Sequence, residues 1–118
     1  MNLRTVFVTA ALVFVISGVA GAAELSTPTM AVDGSRLLWC NIVNVSTVAQ
    51  TVRIRIYDQG GGVAHDSGNI VLAPRATVWA SYSSTGHCRF TTVNAKTLFR
   101  ASINVYDSGT VLASIPAQ

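Results

Sequence analysis

From Arg36 onward, apolar and polar residues alternate with a period near two, the spacing that sends successive side chains to opposite faces of a β-strand. The clearest run is QTVRIRIYD, where Val52, Ile54 and Ile56 point one way and Thr51, Arg53, Arg55 and Tyr57 the other. In RLLWCNIVN, Leu38, Cys40 and Ile42 share a face while Leu37, Trp39 and Val43 crowd the opposite one. That strand is expected to be covered on both sides, with Trp39 packed under the lead-in or a loop. Alternation also predicts strands at Ala76 to Ser81, at His87 to Thr92 with Cys88 and Phe90 inward, and at Phe99 to Val105. Asp107-Ser108-Gly109 has the residues of a tight hairpin turn and pairs the last of these with Val111 to Ile115.

Between these runs, Gly60-Gly61-Gly62 ends one strand, and VAHDSGNIVLAP reads as a loop followed by a short strand that stops at Pro74. Glu24 to Ser35 has no consistent period and reads as a lead-in, with an edge strand at Thr29 to Val32. About seven short strands with turn chemistry between them predict an all-β fold, an antiparallel two-sheet, immunoglobulin-like sandwich over residues 36–118. A true immunoglobulin domain fits less well, because Trp39 directly precedes the first cysteine and Gly86 stands two residues before the second.

The first 23 residues have a different pattern. Arg4 is followed by a nearly unbroken apolar run from Thr5 to Ala20, which closes on Gly21-Ala22-Ala23. A charged start, a short apolar stretch and a small-residue exit predict a signal peptide over residues 1–23, forming a signal helix ahead of the domain. A retained membrane anchor is the competing reading, since the run is close to the roughly 20 residues needed to span a bilayer. Export makes a disulfide between Cys40 and Cys88 reasonable, because both occupy inward strand positions. Closing that 48-residue loop should restrict the unfolded chain by roughly 4 kcal/mol. Two buried free thiols are the alternative.

Charge adds little. Without the leader and its Arg4, seven Lys and Arg stand against five Asp and Glu, a net charge of +2 that is too small to imply a nucleic-acid partner.

The strings LWCNIVNV, TVRIRIYDQGG, the Leu72-Ala73-Pro74 stop, HCRF, LFRASINVYDSG and the terminal IPAQ together resemble small secreted bacterial β-sandwich proteins of uncharacterised function. The resemblance spans nearly the whole chain after the leader. Its motifs are those of a fold, and it implies no catalytic residues.

His65-Asp66-Ser67 has the residue types of a hydrolase triad, but three successive residues diverge and no G-x-S-x-G elbow is present, so HDSG reads as a turn. The histidines and Asp58, Asp66 and Asp107 lack metal-ligand spacing, and no helix follows the triple glycine to make a phosphate cradle. No catalytic residue, metal or cofactor is expected. One surface constellation remains: Arg53, Arg55 and Tyr57 on one strand, with Arg100, Asn104 and Tyr106 on another. If the two strands share a sheet, these six form a basic platform edged with aromatic rings, suited to an anionic or sugar-bearing envelope component. Trp79 could stack on a sugar ring, although a covered flank is the commoner place for such a residue.

The expected protein is therefore an exported, non-enzymatic binding or structural module, secreted or periplasmic, with no membrane span after cleavage. Its partner is an anionic or sugar-bearing component or another envelope protein. A small secreted hydrolase is the second reading and a pilus-type or other surface-assembly subunit the third; Glu24 to Ser35 is too short and irregular for a donated pilin strand.

Overall fold

The computed structural model describes residues 23–118, so the predicted leader, apart from Ala23, lies outside the described residues. Among the described residues there are nine strands: β1 (Ala23–Ser26), β2 (Leu37–Asn44), β3 (Gln50–Asp58), β4 (Val63–Asp66), β5 (Ile70–Leu72), β6 (Thr77–Tyr82), β7 (Gly86–Thr92), β8 (Phe99–Asp107) and β9 (Thr110–Pro116). A single 3-10 turn at Lys96–Leu98 precedes β8. The strands form two antiparallel sheets. The front sheet has the order β1-β7-β3-β4, with β5 also paired to β3, and the back sheet has the order β6-β2-β8-β9.

Alternation accounts for the core. Every second residue of β2 and β3 is buried, and Leu38, Ile42, Ile54 and Ile56 are fully enclosed between the sheets. Phe90 from β7 and Phe99 and Ile103 from β8 complete the layer. The expected bridge is present: Cys40 on β2 and Cys88 on β7 are bonded, with Cα atoms 5.8 Å apart, and so tie the back sheet to the front one. The predicted hairpin also forms. Ser108 and Gly109 both have positive φ, 50° and 92°, as a two-residue turn matching the twist of β8 and β9 requires.

Four expectations are corrected. The lead-in does not carry a strand at Thr29 to Val32, where Met30 makes only an isolated bridge to Gly86. Its strand is β1, paired in register with β7 and burying Leu25. Thr27 extends this attachment, because its hydroxyl accepts a hydrogen bond from the Cys88 N–H at 2.9 Å. The segment read as a loop before Ile70 contains β4, whose Asp66 pairs with Arg55 of β3. Trp39 is not covered by the lead-in or a loop, but stands half-buried on the outer face of the back sheet between two other aromatic rings. The fourth correction concerns the six-residue platform: β3 and β8 belong to different sheets, so its two halves lie on opposite outer faces.

Asn44 is fully buried at the end of β2. Its side-chain amide donates to the carbonyls of Val48 at 2.8 Å and Leu72 at 3.0 Å, and its Oδ1 accepts from the N–H and hydroxyl of Ser46. One side chain thus holds the β2–β3 connection against β5. On the opposite margin, Ser26 and Gln118 exchange two backbone hydrogen bonds of 2.9 and 3.0 Å, joining β1 to the residues after β9.

Candidate functional site

The front face carries a network of ion pairs. Asp66, carried on β4, accepts hydrogen bonds from Arg53 Nε at 2.8 Å and Nη2 at 2.5 Å, and Arg55 lies 3.5 Å away. The fork from Arg53, then the Gly68 N–H, hold the Asp66 carboxyl well below the usual carboxylate range. Beside this cluster Tyr57 stacks on His87 with ring centres 5.2 Å apart, and the Arg89 guanidinium sits 5.0 Å from the Tyr57 ring centre while also facing Glu24. Each of the three arginines thus faces a carboxylate across β4, β3, β7 and β1, Arg89 at 3.5 Å and without a hydrogen bond from its Nε among the described residues, so most of the positive charge of this face is countered within the protein. Sequence reasoning missed this because it placed Asp66 in a turn.

The serine of the suspected triad has other partners. Ser67 Oγ accepts a hydrogen bond from the Ile54 N–H and donates to the Gly68 carbonyl, so the segment that looked catalytic anchors β4 along β3. Among the described residues, no group of three His, Cys, Asp or Glu side chains gathers as a metal cage would require, and no helix is long and apolar enough to cross a membrane.

The back face is organised differently. Trp79 of β6, Trp39 of β2 and Tyr106 of β8 form one stack running diagonally across three strands. Ring centres are 4.8 Å apart for the Trp39–Trp79 pair and 4.5 Å for Trp39–Tyr106, with planes inclined by only 13° and 9°. The diagonal follows from register, since Trp79 is level with Asn41 and Tyr106 with Leu37, on either side of Trp39. Trp39 is the covered middle member, and its indole N–H is buried without an acceptor among the described residues. Trp79 ends the stack and is 54% exposed, so one of its ring faces is free of Trp39.

Beyond Trp79 on the same face lies a hollow of about 220 Å³ lined by Asn41, Val43, Thr77, Arg100 and Ser102. Arg100 is exposed and its Nη1 donates to the carbonyls of Phe99 and Thr97, but it has no carboxylate partner among the described residues. Asn104 lies on the same face, hydrogen-bonded through Oδ1 to the Ser114 hydroxyl at 2.6 Å. Of the six platform residues, the structure thus brings Arg100, Asn104 and Tyr106 together with Trp39 and Trp79. Arg53, Arg55 and Tyr57 are on the far side. The signal that could have found the grouping was the recurrence of aromatic residues at outward positions of three separate strands.

The chain is thus a small, disulfide-linked, two-sheet β-sandwich with an aromatic and cationic outer face on one sheet. No family model matches it, and no curated protein matches it. Among solved structures it is similar to the Thermotoga maritima 1070 structure, with 10% identity, 83% of this chain and 94% of that one covered, and a TM-score of 0.56. It also aligns with FlgD from P. aeruginosa at 14% identity, covering 85% of this chain and 73% of that one with a TM-score of 0.35. FlgD from Xanthomonas campestris aligns at 10% identity, covering 87% and 72%, with a TM-score of 0.36. The first of these likenesses is one of fold alone, and the two FlgD alignments are too loose to carry an argument.

Proposed function

We propose that this chain is an exported, non-enzymatic binding module of the bacterial periplasm or envelope, and that it binds an anionic or sugar-bearing envelope component through the outer face of its back sheet. The observation that carries the reading is the contrast between the two faces. Arg53, Arg55 and Arg89 face carboxylates on the front sheet, whereas Arg100 has none and lies beside a hollow next to an exposed indole. A guanidinium that bonds only backbone carbonyls, through one of its nitrogens, keeps its charge and its other N–H groups available to a ligand carboxylate or phosphate. Export is supported by the leader pattern of residues 1–23 together with the Cys40–Cys88 bridge, a type of bond that persists in oxidising compartments.

The test begins with protein recovered from the periplasm or medium, whose intact mass should place its N-terminus at Ala23 or Glu24. Association of this protein with bacterial envelope extract is then compared for Arg100→Glu and Arg53→Glu variants. Loss of association with Arg100→Glu and retention with Arg53→Glu is the expected result. Equal retention by both removes the back face from consideration, and recovery of Met1 in a membrane fraction removes the exported module.

A further inference from the structure

A second hollow, of about 330 Å³, adjoins the first at the end of the sandwich, and Arg100 and Ala101 line both. It is also lined by the buried Leu25 and Phe99 and the exposed Pro116 and Lys96, the last another cation without a carboxylate partner among the described residues. Resting on the back-face reading above, we propose that the two hollows and the free face of Trp79 form one track for an acidic polysaccharide, a chain of sugars bearing carboxylates.

Three features select this ligand class. Small-molecule sites are clefts that bury most of their ligand, whereas these are two open depressions that meet at Arg100 and Ala101, a shape suited to successive units of a chain. The cations Arg100 and Lys96 stand along the track, where repeated carboxylates would meet them; Arg100 can accept a carboxylate with paired hydrogen bonds, and Lys96 acts as a point charge. Trp79 offers an exposed flat apolar surface on the same strand and face as Thr77, which lines the first hollow beside Asn41 and Ser102. A pyranose ring, with one apolar face of C–H groups and a hydroxyl rim, matches an indole face bordered by amide and hydroxyl groups. Single-stranded nucleic acid binds by stacking successive bases on several aromatic side chains, whereas the stack here is closed on itself and Trp79 is the member that presents a free ring face beside the hollow.

The experiment uses mature, oxidised protein in affinity electrophoresis or calorimetry with polygalacturonate, with dextran as a neutral polysaccharide and oligo-dT as an anionic stacking polymer. Polygalacturonate should bind and the other two should not. Arg100→Gln and Trp79→Ala should each weaken binding by about tenfold or more, Trp79→Phe should restore part of the loss, and Arg53→Gln should bind as the parent does. Unchanged thermal midpoints establish that the variants are folded. Equal binding of dextran or oligo-dT, or undiminished binding by folded Arg100→Gln and Trp79→Ala proteins, overturns the proposal. If polygalacturonate does not bind while Arg100→Glu still abolishes envelope association, the ligand class is wrong and the back-face reading stands. If both results are negative, both fall.

Discussion

Asn44 shows how much of this fold can depend on one polar side chain. It is fully buried, and its amide group engages both donors and its acceptor in bonds that join the end of β2 to the β2–β3 connection and to β5. Replacing it with Ala removes those bonds, takes the amide donor from the buried Leu72 carbonyl at a cost of order 1–3 kcal/mol, and frees the β2–β3 connection from the end of β2. Asn44→Ala should therefore lower stability by about 3 kcal/mol, read from the midpoint of urea unfolding at unchanged slope. A shift below about 0.5 kcal/mol would mean that water replaces the side chain in all its roles. Gly86 is constrained for a different reason, since a Cβ there would run into the backbone carbonyl of Tyr57 across the β3–β7 pair.

At the scale of elements, β4 is the least protected strand, because all four of its residues are exposed. Its attachment to β3 is polar, through the Arg53 and Arg55 contacts of Asp66 and the Ser67 hydroxyl. This gives the strand a pH dependence whose sign is fixed. The Asp66 pKa is lowered in the folded protein, so its contribution is complete above the unfolded carboxylate value of about 4 and is lost as pH falls through the lower folded value. Hydrogen exchange at the β3–β4 amides should accelerate below about pH 4 relative to the β3–β7 amides, after correction for intrinsic rates. Asp66→Asn should abolish that pH dependence and leave β4 loosely held at every pH. Equal acid responses in parent and variant would show that Asp66 does not govern the strand.

For the molecule as a whole, the fastenings between sheets matter more than those within them. The Cys40–Cys88 bond ties the back sheet to the front across the core, and the Ser26–Gln118 pair joins β1 to the residues after β9. A chain of this size has a limited core, so the covalent tie should be a large share of its stability. Replacing both cysteines with Ala should cost about 4 kcal/mol from loop entropy, with some further loss of packing at two fully buried sites. The thermal midpoint of the double variant, compared with the oxidised parent, measures this. Near-identical midpoints would show that the sandwich does not depend on its staple.

The sequence by itself determined much of the local structure: that the segments of β2, β3 and β5 to β9 are strands, which side of β2, β3, β7 and β8 enters the core, where the Ser108-Gly109 hairpin turns, and that Cys40 and Cys88 face inward. Alternation and turn chemistry act between near neighbours, so they can be read without knowing the partner strand. Sheet membership is not local. Nothing within Arg53–Tyr57 or Arg100–Tyr106 states that β3 joins the front sheet and β8 the back one, and that assignment divided the expected platform in two. The same limit hid β4, whose residues are exposed and whose pairing rests on an ion pair to a strand earlier in the chain. It also hid the Trp79–Trp39–Tyr106 stack, because rings separated by 40 and 67 positions meet only once the order β6-β2-β8 and its register are in place. Tertiary structure decided which outward-facing side chains are neighbours, and the candidate binding face consists of such neighbours.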